Sequence, residues 1–263
     1  MSVWLRAGLI LGIVVALSPG FVQAQGETRP ALDDAQRFET ANFVIHYTVR
    51  GVNAVDPTDE DGDGRPDYVA AVAEAAERSW QVLVVEQDWA LPPFDDELGG
   101  DDRVDIYLLE TLSFGFAGYS SFAGGYVGDN PRTEATERHA AHSFIVVDND
   151  FVDPLLAPDE SLDAMRVTVA HEFLHVLQAG YDSLDAQFWV YEATATWAES
   201  QVYPDLNENI SRLPAFLTSP DVCPQASIGR LPETRWYGMW LFPQYLAERF
   251  GVSIVEAWWA ASR

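Results

Sequence analysis

The chain has 263 residues, long enough for one large domain or two small ones, and its formal charge of −26 sets 41 acidic residues against 15 basic ones, all arginine. Such a charge repels nucleic acid and anionic lipid, which argues against both as partners. A single cysteine, Cys223, excludes an internal disulfide, and with no histidine near it in sequence it reads as a plain free thiol.

The first 24 residues read as a secretory signal peptide. Arg6 is the only charge before Glu27, residues 7–17 are apolar, Ser18-Pro19-Gly20 breaks the run, and Val22-Gln23-Ala24 supplies small residues for cleavage. The apolar run is about half of the ~20 residues that a membrane span needs. No later segment is apolar enough to span a bilayer. Cleavage after Ala24 is expected to leave residues 25–263 as the mature protein, extracellular or periplasmic and free of the membrane. Loss of Arg6 takes its charge from −26 to −27.

Residues 42–48 alternate Phe43, Ile45 and Tyr47 with Val44 and His46, which predicts a strand. The loop that follows, 56–67, reads DPTDEDGDGRPD. It places Asp59, Asp61, Asp63 and Gly64 in the order of positions 1, 3, 5 and 6 of a calcium loop. The Arg65 backbone carbonyl and Asp67 would be positions 7 and 9. Position 12 falls on Ala70, so another segment must complete a Ca²⁺ shell. The alternative is a solvated turn with Asp67 capping the next helix.

Residues 68–86 carry Val69, Val72, Ala73, Ala76 and Trp80 at helical spacing. A Pro- and Gly-rich acidic loop at 91–102 leads to an apolar strand at 104–109. Residues 115–127 predict a strand or hairpin at a sheet edge, and SFIVVD at 143–148 a buried strand. After Pro158 the pattern turns helical. One helix is expected at 162–179, with Ser161 as N-cap and Gly180 just past its end. A second is expected at 186–202, stopped by Pro204, and two more at 236–250 and 252–261 flank Gly251. The last reaches the chain end, as if the sequence continued beyond residue 263. A β-rich half (about 40–150) with one helix therefore precedes a helical half (about 160–263). This predicts an α+β fold with a mixed sheet and a cleft between the halves.

The chemistry concentrates in HEFLHVLQAGYDSLDAQFWVYEATATWAE, residues 171–199. His171 and His175, four apart on a helix, share one face and can bind one Zn²⁺ together. Glu172 lies about 100° further round, placed to take a proton from a water without being a ligand. A catalytic zinc needs a third protein donor and an open fourth position. Glu192 is the candidate, because a turn at 180–185 can return the second helix to the histidines. Thr196 and Glu199 share its face, at i+4 and i+7, and are expected to support the ligands by hydrogen bonds. The alternative is an ordinary amphipathic helix with two surface histidines and a salt-bridged Glu192.

HEFLH followed by YEATATWAE resembles the gluzincin clan of zinc metallopeptidases, in which H-E-x-x-H precedes a glutamate ligand on a following helix. The aminopeptidase branch carries N-E-G-F-A-x-x-x-E there; Glu192 matches its ligand, Ala195 its alanine and Glu199 its last acid. With the DxDGDGxPDY loop, GGDxRxDIYL, HEFxHxxQ and ExTATWxE, most of the mature chain is similar to a group of secreted bacterial proteins of gluzincin type. The resemblance implies a zincin-like fold, zinc on His171, His175 and Glu192, Glu172 as general base, and a protein or peptide substrate. WYGMWLFPQYLAERFG resembles the Tyr-then-Gly helix that supplies an oxyanion-binding tyrosine in the aminopeptidase branch, which nominates Tyr237 ahead of Tyr181 and Tyr191. Two departures limit the match. The interval from HEFLH to Glu192 is slightly short, and no G-x-M-E-N motif appears, so aminopeptidase specificity is not implied.

His46, His139 and His142 read as ordinary surface or buried histidines. Two other functions share the same residues. One is a non-catalytic zincin-like binding or adhesion module; the other is a zinc hydrolase of glycan or ester linkages.

Overall fold

A computed structural model describes residues 29–122, 125–152, 158–184, 187–225 and 232–263. The expected signal peptide at 1–24 lies outside them. Strands β1 (Gln36–Glu39) and β2 (Phe43–Tyr47) form an antiparallel pair, and helix α1 (Asp67–Trp80) follows. Strand β3 (Val104–Leu109) joins β2 in parallel. Strand β4 (Gly118–Ser121) comes next, then the short pair β5 (Tyr126–Gly128) and β6 (Ala140–Ala141), then β7 (Phe144–Asp148). The main sheet has the order β1-β2-β3-β7-β4: parallel in its centre, antiparallel at both edges. The helical half comprises α2 (Pro158–Asp182), α3 (Phe188–Val202), α4 (Leu213–Leu217), α5 (Pro232–Gly238), α6 (Leu241–Phe250) and α7 (Ser253–Ala260). The fold is α+β, as the order of patterns predicts. Among the described residues no helix is long and apolar enough to cross a membrane.

Helices α1 and α2 cover one face of the sheet. Phe43, Ile45, Ile106, Ile145 and Val147 meet Val69 and Val72 of α1 and Met165, Val169 and Phe173 of α2 in one buried core. Phe173 packs edge-on against Phe43 at 5.2 Å and stacks on Trp80 at 5.7 Å, which ties α2 to both layers. Tyr107, Phe144 and Val146 form the core of the opposite face, with Leu32 and Tyr119 against it. The central strands are thus buried on both sides, which explains why β7 reads as a continuous apolar run rather than an alternation.

Several boundaries differ from expectation. The 68–86 helix widens after Trp80 into a π-helical segment, Gln81–Glu86. Gly180 does not cap α2, which runs on to Asp182. A side chain at 180 would press on Pro93 at 3.3 Å, so the glycine serves packing instead. The 236–250 helix is two helices. Pro243 lacks an N–H, and its ring would collide with the carbonyl of Met239, so the chain breaks at Met239–Trp240 and restarts at Leu241. The 115–127 segment divides: Gly118–Ser121 is the edge of the main sheet, while Tyr126–Gly128 pairs with β6 in a separate one.

Candidate metal centre

Helix α2 is buried on all sides over its HEFLH turn, and α3 is buried from Val190 to Glu199. Polar groups in such helices need partners, since an unpaired buried polar group costs about 1–3 kcal/mol. His171 and His175 meet Nε2 to Nε2 at 3.2 Å. Glu192 Oε2, arriving from α3, lies 3.3 Å from His171 Nε2 and 3.9 Å from His175 Nε2. The return predicted for the second helix therefore occurs.

The opposite nitrogen of His171 is already committed. Its Nδ1 lies 2.8 Å from Glu199 Oε1. A carboxylate only accepts, so Nδ1 carries the proton and Nε2 turns toward the donor cluster. His175 Nδ1 lies 2.6 Å from Gln178 Oε1. Tyr237 of α5 stacks on His171 with ring centroids 5.5 Å apart, and its hydroxyl hydrogen-bonds Glu192. Arg212 sits over the Tyr237 ring at 4.9 Å and 3.8 Å from Glu199 Oε1.

Three electron-rich atoms thus share one space, where a proton or a cation between them offsets their mutual repulsion. Burial alone would lower the His171 pKa, but its hydrogen bonds to Glu192 and Glu199 raise it to about 10. Burial lowers His175 to about 4, leaving it neutral. Burial raises Glu192, but the hydrogen bond to His171 and the histidine charges bring it below its ordinary value. Burial pushes Glu172 up to about 7, moderated by the charge of His171 and reinforced by that of Glu192.

A tetrahedral ion with bonds of about 2.0–2.1 Å sets its donors about 3.3 Å apart. Two of the three separations match this edge and the third is wider. Both Glu172 oxygens are buried without hydrogen-bond partners. The donor set of two imidazoles and one carboxylate fits zinc.

The supporting contacts differ from expectation at one residue. Thr196 Oγ1 is buried and has no hydrogen-bond partner, so it supports neither histidine. His175 finds its partner on its own helix, at Gln178 in i+3, and needs no hydroxyl from α3. Gln178 stands in the HEFxHxxQ stretch, but only the packing of α2 on α3 gives its amide a role. The other tyrosines are committed elsewhere: Tyr181 accepts from Ala90 N and donates to Glu256, and the Tyr191 hydroxyl donates to the Asp182 carbonyl. His46 pairs with Asp105 and His139 with Asp182. His46, His139 and His142 lie outside both metal-sized clusters found among the described residues.

The edge strand β4 runs against the same turn of α2. A Cβ at Gly118 would lie 2.8 Å from the Val146 carbonyl, 2.9 Å from Thr168 Cγ2 and 3.5 Å from Glu172 Cγ. Gly118→Ala is therefore expected to cost about 1–3 kcal/mol by overpacking. Urea denaturation measures it, and an unchanged midpoint would contradict the contact.

In the 56–67 loop the oxygens of Asp59, Asp61 and Asp67 converge within 4.8 Å of one another. Asp63 does not join them, because its carboxylate pairs with the Arg65 side chain. Asp67 accepts from Glu60 N instead of capping α1. Asp59 also receives the Gly62, Asp63 and Gly64 amides. Calcium bound by the converging three is expected to raise Tm by several degrees when added to chelator-treated protein; an unchanged Tm identifies a solvated turn.

Fold and site together define an α+β protein with a buried donor set of two histidines and one glutamate, and an uncoordinated glutamate beside it. Over residues 28–263 the chain matches a family described as a family of unknown function (DUF6055), and it belongs to that family. No curated protein and no solved structure matches it significantly.

Proposed function

We propose that this protein is a secreted zinc-dependent endopeptidase of gluzincin type, with His171, His175 and Glu192 as zinc ligands. The observation that carries the reading is the convergence of His171 Nε2, His175 Nε2 and Glu192 Oε2 at 3.2–3.9 Å, with the unpartnered Glu172 carboxylate on the same helix turn. Bound there with its fourth position open, zinc would supply the Lewis acidity that makes a water nucleophilic near neutral pH.

The chain's own residues do the rest. Glu172 accepts the water proton on an oxygen that no other group occupies, and returns it to the leaving amine. Its burial favours this exchange, because a carboxylate whose pKa is raised toward 7 is a stronger base for the water proton and, once protonated, still an acid able to return it near neutral pH. Tyr237, whose hydroxyl reaches Glu192, borders the donor set and is assigned to the developing oxyanion. Strand β4 ends the sheet, and its outer edge has no strand partner among the described residues. An extended peptide can add there as a further strand, its backbone beside the Glu172 turn.

Digestion of a peptide library with and without a zinc chelator tests the reading. Chelator-sensitive internal cleavage supports it. Intact peptides together with bound zinc would point to a binding module, and ester or glycan products to a different hydrolase.

A further inference from the structure

We propose, resting on the metal-site reading above, that helix α7 is part of the metal centre. Trp259 and Thr194 hold the Gln178 amide in one orientation, which commits His175 to the Nδ1–H tautomer and leaves its Nε2 lone pair free for the ion.

Hydrogen accounting carries the assignment. Thr194 Oγ1 has one proton, directed at the Val190 carbonyl at 2.7 Å, with the Tyr191 carbonyl 3.3 Å away. That oxygen is consequently an acceptor for its other neighbours. Trp259 Nε1, which can only donate, reaches it at 3.2 Å. The second neighbour is the Gln178 side-chain amide, at 2.8 Å. The same end of Gln178 lies 3.2 Å from the Tyr191 carbonyl, another pure acceptor. An amide end that faces two acceptors must be the NH₂ group. Reversing it would set two carbonyl oxygens 3.2 Å apart with no proton between them, and would give up the bond to Thr194.

With the NH₂ end so fixed, the opposite end facing His175 Nδ1 at 2.6 Å is the carbonyl oxygen. It accepts, so Nδ1 donates and Nε2 is left unprotonated, turned toward His171 and Glu192. His171 needs no such lock, because both oxygens of Glu199 accept and either face of that carboxylate selects the same tautomer. Both histidines therefore carry a proton on Nδ1, by different means, and the neutral device depends on α7. Tyr191 reinforces it: its ring packs edge-on against Trp259 at 4.7 Å and tilts against His175 at 6.2 Å.

Two conservative variants of the full chain test the inference: Gln178→Met, which keeps the volume and removes both amide ends, and Trp259→Phe, which keeps an aromatic ring and removes the N–H. Zinc affinity is read by competition with a chromophoric chelator. The His175 tautomer is read by proton–nitrogen NMR of the zinc-free protein, and circular dichroism checks folding. Gln178→Met is expected to lose about 10–100-fold in zinc affinity, as outer partners of metal ligands do, and Trp259→Phe a smaller part of that. Zinc-free wild type should show His175 as Nδ1–H, and Gln178→Met a mixture. Zinc binding by folded Gln178→Met as tight as wild type, or a wild-type His175 protonated on Nε2, overturns the lock. Unchanged affinity in Trp259→Phe removes α7 from it. A wild type that takes no zinc yet shows the Nδ1–H form overturns the metal-site reading while supporting the tautomer assignment.

Discussion

Replacing Glu172 by Gln is expected to leave zinc binding intact and to cut peptide hydrolysis by about 10²–10⁴-fold, the usual contribution of a general base. At 1.36 kcal/mol per decade this is about 3–5 kcal/mol of barrier. The metal should stay because Glu172 is absent from the cluster of donor atoms formed by His171, His175 and Glu192. The fold should stay because both oxygens of Glu172 lack hydrogen-bond partners, so the neutral amide relieves a buried charge without breaking a bond. The pH profile follows from the same residue. Activity requires the ionised form and is lost as pH falls through its pKa. Burial pushes the carboxyl up to about 7, and a dication among the neighbouring donors would draw it lower. The acid limb of kcat/KM is accordingly expected below pH 7 and should vanish with the residual activity of Glu172→Gln. A variant that cleaves as fast as wild type would show that the base lies elsewhere.

Replacing Glu192 by Ala is expected to remove both metal and activity. In the proposed site its carboxylate is the third donor, reaching the two imidazoles of α2 from α3. Loss of zinc affinity should exceed the roughly 10–100-fold that follows loss of an outer partner. Thr196→Val offers the contrast. Thr196 lies one helical turn from Glu192, but its buried hydroxyl bonds to nothing. An apolar isostere there should leave zinc affinity unchanged and hold or raise stability. Equal losses of zinc in the two variants would mean that α3 acts through general packing and not through the carboxylate.

Much of this centre was legible from residues 171–199 because it depends on helical periodicity. Four-residue spacing sets His171 beside His175 whatever surrounds them, and a short turn leaves Glu192 few places to return to. Glu199 was legible for the same reason, seven residues further along one face. Thr196 shows where periodicity stops being enough. A face is a direction, and which groups meet across it depends on how α2 and α3 pack. Gln178 has a neutral side chain with no chemistry of its own, and acquires a role only when the Tyr191 carbonyl, Thr194 and Trp259 surround it. Strand β1 lacked the signal altogether: QRFE is largely exposed and does not alternate, and pairing with β2 is what makes it a strand. Tyr237 is nominated by resemblance alone; its place over His171 comes from the packing of α5, which no local pattern announces.

The most direct test is an anomalous diffraction map of zinc-loaded crystals, collected above and below the zinc absorption edge, together with metal analysis of the same protein. The account predicts about one zinc per chain, with a single peak bonded to His171 Nε2, His175 Nε2 and a Glu192 oxygen. Stoichiometric zinc at another place, or none after loading with the Glu192 side chain turned away from both imidazoles, would contradict it.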